Sequence, residues 1–464
     1  MKRKVCLRRL LCLLLCMSPA LLPAQHDLSL YNMKIVPQRI FQNPAFIPAQ
    51  KVYVGIPVLS GIRSSMANPF SYNDVFERGS DDSLTLRVEN TLAKLAKNER
   101  LRLYSDIEVL SLGSRLAGGK FFLGFSIRER ISQHVMVPED LVNMLWYGNA
   151  APQVFGRTVS ICPRISFIAF DEWGASFSGY ALKNKITWGG RLKYISGRVN
   201  ATTVRSTFDV STDPDSYRLN MQSDLELRTS GIDDIEHYLD QPLSSLVFPG
   251  NNGVGVDLGA TWQITEQIGV SASVLDLGFV SWKSRTMTLV SHIPGEEFTF
   301  NGLNLNDFIK MIEDPDTFGG KLTDSILDLV EIDTVYDVKY TSMLPVRFNV
   351  GGTYTLKERH NFNLLLNGVA WDHHFFPALS VSYYYQAPRI LGILLSYNIF
   401  NNQYTNFGAG LSVNAGPIQL YVISDNLPAM FWYRSSNNYS VQFGINISVT
   451  PKTVSASAET QPAQ

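Results

Sequence analysis

Apolar and polar residues alternate one for one along many stretches of this 464-residue chain, and the stretches are about ten residues long. From Val254 to Ile264, Val254, Val256, Leu258, Ala260, Trp262 and Ile264 fall on one side, and Gly255, Asp257, Gly259, Thr261 and Gln263 on the other. Val346–Leu356 and Tyr439–Val449 repeat the pattern, and the latter sets Val441, Phe443, Ile445 and Ile447 against Gln442, Gly444, Asn446 and Ser448. A two-residue period places alternate side chains on opposite faces of a strand. Soluble strands average nearer five or six residues, whereas a tilted membrane strand needs about ten. Beyond residue 24 no run offers the ~20 apolar residues of a membrane helix. An integral protein of this kind must be a closed barrel, because only helices and barrels satisfy their backbone in lipid.

Composition agrees. Charged residues make up 17%, below the roughly 25% usual for soluble domains, and aromatics reach 11%. The formal net charge of −1 argues against a nucleic-acid partner, which requires a basic face. Residues 1–24 read as a signal peptide: Lys2, Arg3, Lys4, Arg8 and Arg9 precede an apolar run from Leu10, with cleavage placed after Ala24. Cys6, Cys12 and Cys16 leave with it, so the lone Cys162 permits no intrachain disulfide and no cysteine metal cluster.

The expected architecture is all-β: an antiparallel transmembrane β-barrel of about 14–16 strands over residues 51–450, with short helical loop insertions. A hatch or plug over 25–50 precedes it, and a disordered tail over 451–464 follows. Strands are expected near 51–60, 103–113, 120–130, 158–170, 172–183, 187–199, 253–264, 267–277 and 279–290, then from 345 onwards. Helical turns are expected over 84–100, 232–247 and 303–331. Trp262, Trp282, Trp371, Trp432 and Tyr433 are candidates for interfacial girdles.

Residues 26–50 hold Pro37, Pro44 and Pro48, which resist a central strand, beside Tyr31, Ile35, Val36, Ile40, Phe41 and Phe46. Irregular apolar chain at membrane depth is tolerable only when protein encloses it. The segment is therefore expected in the lumen or across its periplasmic mouth, with Asn43-Pro44-Ala45 forming a turn.

Asn43-Pro44-Ala45-Phe46, Val54-Gly55-Ile56-Pro57-Val58-Leu59-Ser60-Gly61, Val256-Asp257-Leu258-Gly259-Ala260-Thr261, Ser273–Trp282 and Asp425-Asn426-Leu427 together resemble an uncharacterised family of exported Bacteroidota proteins. That family resembles, more distantly, the FadL-type outer-membrane transport barrels. The FadL resemblance implies a 14-stranded barrel passing hydrophobic molecules, with a hatch containing Asn-Pro-Ala. Asn43, Pro44, Ala45 and Phe46 are the hatch or gating residues so implied. A similar Asn-Pro-Ala-Phe sequence near the start of small barrels of type IX secretion machinery supplies the alternative, a non-transporting component of a secretion or surface complex.

Chemistry is thinly represented. The adjacent His373 and His374 cannot share a metal from one strand, and Asp372-His373 lacks a nucleophile elbow and reads as a polar turn. Asp257 and Asp276 lie within apolar strands and read as lumen-facing hydrogen-bonding groups. No catalytic residue, cofactor or metal site is expected. The expected partners are outer-membrane lipid, a hydrophobic small molecule, and secretion or surface proteins.

Overall fold

The computed structural model describes residues 28–80, 83–95, 100–215, 219–232, 249–298, 333–387, 390–401 and 403–449. The signal peptide expected over 1–24, the tail expected over 451–464 and the helices expected over 232–247 and 303–331 lie wholly or almost wholly outside them.

Fourteen antiparallel strands close on themselves. β1 comes in two pieces, Val52–Gly55 and Ile62–Ala67. β2 (Leu101–Leu116), β3 (Phe121–Met136), β4 (Arg164–Ala181) and β5 (Ile186–Thr212) follow. β6 joins Leu219–Ser230 to Asn251–Gln263, and β7 joins Ile268–Trp282 to Thr286–Phe298. β8 is built from Asp333–Tyr336, Tyr340–Met343 and Val346–Leu356. The remainder are β9 (His360–Trp371), β10 (His374–Ala387), β11 (Leu391–Phe400), β12 (Gln403–Ala415), β13 (Ile418–Ser424) and β14 (Asn438–Val449). β1 closes the ring, pairing Val52 with Val449 of β14 and Val54 with Leu112 of β2. Closure removes both sheet edges.

Two of the expected strands, 158–170 and 172–183, are mainly one: β4 runs unbroken through Asp171 and Glu172. Two adjacent carboxylates are accommodated in mid-strand because Glu172 points inward to partners described below and Asp171 meets Arg198. β7 likewise pauses only at 283–285, so the expected strand over 279–290 is divided between its two pieces. Among the described residues of the segment 84–100, Val88–Leu95 is helical and Leu84–Leu86 is a short strand. The strand piece Leu219–Ser230 lies outside the expected strands, although Leu219, Met221, Leu225 and Leu227 alternate with Asn220, Gln222, Asp224, Glu226 and Arg228 along it.

Turns at one end of the barrel are short, such as 182–185 and 416–417, while the other end carries 68–100, 137–163 and 425–437. Outer-membrane barrels show this asymmetry, with short turns on the periplasmic side. The outward face is apolar: Val254, Leu258, Trp262, Leu364, Leu366, Phe443 and Ile447 are all exposed. The alternate residues of β14, Gln442, Asn446 and Ser448, are buried. Apolar residues outside and polar residues inside is the sense a hydrocarbon solvent requires. Trp262, Trp432 and Tyr433 are exposed, as a girdle needs. Trp282 is not: it is fully buried, stacked on Tyr340 and donating to Ser342 Oγ at 2.8 Å. Trp371 also turns inward, packing on the cluster around Trp282.

Candidate functional site

The inside of the barrel is occupied in two tiers. The lower is the N-terminal segment. A short helix (Leu28–Asn32) and a single turn of tighter helix (Pro37–Phe41) are linked by local backbone bonds, with Pro37 at the helical start where its missing N–H costs nothing. Leu30, Met33, Ile35 and Val36 pack on Tyr384, Leu394, Tyr421 and Ile423 of β10, β11 and β13. Ile40 and Phe41 pack on Tyr53 and Phe122. Each such fully buried side chain contributes about 1.5–3 kcal/mol relative to exposure.

Hydrogen bonds fasten the segment to nine of the fourteen strands. Gln38 donates to Asn446 Oδ1 at 2.7 Å and to Glu108 Oε1 at 3.2 Å. Ser178 Oγ donates to the Pro44 carbonyl at 2.5 Å, and Ser273 Oγ and Asn349 Nδ2 donate to that of Gln42 at 2.7 and 3.0 Å. Asn32 reaches Ser382, Ser29 reaches Ser396, Gln419 reaches the Ile35 carbonyl, and Arg115 reaches that of Pro48. Asn43, wholly buried, supplies the link to β6 and a further one to β7: its amide donates to the Ala260 carbonyl at 3.5 Å and the Ala272 carbonyl at 3.1 Å.

Asn43 Oδ1 also accepts from the Ala45 N–H at 2.9 Å, closing the turn over Pro44. Ala45 and Phe46 are buried, and Phe46 packs edge-on to Tyr31 while the Arg39 guanidinium lies 3.8 Å from its ring centre. The four residues singled out from the sequence thus sit together on the inner wall.

Their seat was not legible beforehand. Gly189 and Gly259 are direct cross-strand partners on β5 and β6, flanked by Ser178 on β4 and Ser273 on β7. A Cβ on Gly189 would lie 2.2 Å from the Pro44 oxygen, and one on Gly259 2.0 Å from Asn43 Oδ1. The two glycines are a side-chain-free floor on which the Asn43–Pro44 backbone rests.

The upper tier is ionic. Arg128 and Glu172 are cross-strand partners on β3 and β4, 2.5 Å apart. Arg128 also meets Asp106 of β2 at 2.9 Å, which Arg63 of β1 approaches at 3.3 Å. Glu172 takes Arg130 at 2.7 Å and Arg191 at 2.8 Å. On β7, Asp276 receives both Nη atoms of Arg130 at 2.6 and 3.0 Å, Lys193 Nζ at 2.6 Å and Arg347 Nε at 2.9 Å. Lys193 also meets Asp257 at 2.6 Å. Six cations and four carboxylates therefore form one buried network across eight successive strands. Asp257 and Asp276 belong to it as ion-pair partners, beyond the hydrogen-bonding role expected of them.

Asp276 owes its position to a bulge. The β6–β7 register shifts between Val256 and Leu258, Asp276 adopts φ 63°, and its N–H donates to Asp257 Oδ1 at 2.7 Å. A non-glycine residue in that left-handed region is uncommon, and bulges re-aim side chains in this way. Gly174 leaves room for Arg191, whose guanidinium would lie 2.2 Å from any Cβ there. The tiers touch at Phe41, with Arg128 4.3 Å and Arg191 4.7 Å from its ring centre.

Above the network, Ile168, Phe170, Ile195, Val280, Trp282, Tyr340 and Leu344 form an apolar cluster. At the long-loop end the turn Asp372–His373 meets the opposite wall. Asp372 accepts from Ser166 Oγ of β4 and lies 3.3 Å from His134 Nε2 of β3. Burial pushes the Asp372 carboxyl up, but the bonds from His134 and Ser166 outweigh it and hold the group at about 2. The polar turn expected there is present. A recess of about 370 Å³ outside it is lined by Met136, Glu139, Asp140, Arg157, Cys162 and Arg164. Burial pushes the Cys162 thiol up to about 11, so it is protonated and unreactive at neutral pH.

Residues 44–425 match a family of unknown function, DUF5723. The chain belongs to that family. The match begins at Pro44, on the glycine floor, and spans every strand of the ionic tier, β1 to β8. No curated protein matches the sequence. Among solved structures, the chain is similar to the Pseudomonas putida toluene transporter TodX, at 10% identity and TM-score 0.35, covering 88% of this chain and 91% of that one. It is similar to the Ralstonia pickettii toluene transporter TbuX, at 9% identity and TM-score 0.39, covering 89% and 94%. A Pseudomonas aeruginosa FadL homologue gives 10% identity and TM-score 0.29, covering 89% and 94%.

Proposed function

We propose that this protein is an outer-membrane transport barrel for small hydrophobic molecules, with residues 28–50 as the plug that gates it. One observation carries the reading: an irregular, apolar segment fills the lower lumen, packed on the wall and bonded to nine wall strands through individual polar contacts. Individual hydrogen bonds of this type contribute only about 0.5–1.5 kcal/mol each, so they can be exchanged singly. The apolar lower wall around Tyr384, Leu394 and Tyr421 would be uncovered as the segment moves and would suit an uncharged ligand.

The test is uptake of a radiolabelled monoaromatic hydrocarbon by cells whose outer membrane carries this protein. Uptake several-fold above that of cells lacking it supports the reading, and equal uptake refutes it. A second reading, a non-transporting component of a secretion or surface complex, draws on the 27 residues of β5. At about 3.3 Å per residue and a 35–45° tilt, β5 outreaches an apolar band about 25 Å tall and carries part of the sheet into solvent. Photo-crosslinking from Val204, which is exposed on that extension, would capture a protein partner under the second reading only.

A further inference from the structure

A plug is the sole barrier only if the lumen above it is clear, and here it is not. Arg130 leaves β3 and binds Asp276 on β7, four strands further round the wall, through two hydrogen bonds of 2.6 and 3.0 Å. Side chains of strands that far apart meet only where the bridge crosses the lumen. Arg130 is 1% exposed and Asp276 0%. The hydrogen bonds of both go to wall residues: Arg130 to Glu172 and Asp276, and Asp276 to Arg130, Lys193, Arg347 and the Asp257 carboxylate. The segment below contributes to none of them, so its departure leaves the bridge intact.

The bridge is also held rigidly. A bidentate guanidinium–carboxylate pair fixes both distance and plane. The bulge at Asp276 aims the carboxylate inward, and two further cations hold it there. A charged pair sealed at this depth is a poor path for an apolar solute, which offers neither partner anything in exchange.

We propose that the Arg130–Asp276 bridge is a second barrier across the lumen, independent of the N-terminal segment, and that both must give way before anything passes. This rests on the transport reading. It implies that opening requires charge the uncharged ligand does not carry, supplied by a partner able to bind Arg130 or Asp276.

Ion conductance in planar bilayers separates the barriers while the full chain is kept. The pair Gly189→Val and Gly259→Val fills the seat of Asn43–Pro44 from the wall and displaces the segment. Arg130→Met removes the bridging arm and leaves Asp276 with Lys193 and Arg347. Asp276→Asn is the alternative should that variant fail to fold, with folding read from heat-modifiable gel mobility. The expected result is near-silent wild type, seat-filled and bridge variants, and at least tenfold higher conductance when the two changes are combined. A seat-filled variant that conducts fully by itself overturns the second barrier. A seat-filled variant that stays closed while trypsin shows its segment released supports it. A folded combined variant that stays closed overturns the bridge as a barrier. If the combined variant conducts ions yet hydrocarbon uptake never exceeds background, the transport reading fails and the barrier stands.

Discussion

Gly259→Ala is the sharpest small perturbation of the seat. In a strand interior, alanine normally improves on glycine by roughly 0.5–1 kcal/mol. Here the new Cβ would sit 2.0 Å from Asn43 Oδ1 and 2.9 Å from Pro44 Cδ. Asn43 cannot yield cheaply, because it holds the Ala45 N–H at 2.9 Å and the Ala272 carbonyl at 3.1 Å. Breaking two hydrogen bonds costs about 1 kcal/mol each, and forced overpacking adds roughly 1–3 kcal/mol. The seated form should thus lose about 3–5 kcal/mol, a roughly 100- to 4000-fold rise in the unseated fraction at about 1.4 kcal/mol per tenfold. Trypsin reads this directly, since Lys34 and Arg39 lie within the segment and are protected only while it is docked. Cleavage there should accelerate by at least an order of magnitude, while heat-modifiable mobility reports an intact barrel. Gly352→Ala, where a Cβ meets nothing within 4 Å, should leave cleavage unchanged. Equal cleavage of Gly259→Ala and wild type would refute the glycine-floor account.

Three further outcomes are expected. Asp276→Asn leaves Arg130, Lys193 and Arg347 facing one another, and loss of one partner from a buried network should cost about 3–5 kcal/mol in urea unfolding from vesicles. Ile445→Arg, on the outward face of β14, should cost roughly 2–4 kcal/mol in the same assay; Asn446 is no neutral control for it, because it bonds Gln38 and Gln419 inside the barrel. The Asp372 contact favours the carboxylate, whose value of about 2 lies below the ordinary value of about 3.9, so its stabilisation should be complete above about pH 4 and fade as pH falls towards 2. Tryptophan fluorescence of Trp371 against pH, compared with Asp372→Asn, checks this, and identical curves would remove the contact from the account.

The barrel was legible because a period of two survives in any environment that differs between its faces. The outward register of Phe443 and Ile447 could be read one residue at a time. The seating of Asn43–Phe46 was readable only in outline, from prolines and stranded apolar residues. What stayed hidden depends on distant strands. Arg130 and Asp276 are 146 residues apart, and nothing near either announces the other. Glu172, expected at the start of a strand, lies in mid-strand, where three arginines and a lysine surround it. Gly189 and Gly259 looked like ordinary members of a polar face, because their use lies in what they lack.

The closing of β1 onto β14 joins Val52 to Val449, residues separated by nearly the whole described chain. Such a pairing has the largest loop to draw in and forms late. The residues immediately before β1 are those that fill the lumen. The segment must therefore find its glycine floor while the sheet is still open, or be threaded afterwards into a ring that has already closed. A chain variant that docks the segment slowly should show its defect as failed assembly, with sheets that curl but do not seal, long before any defect appears in the finished protein.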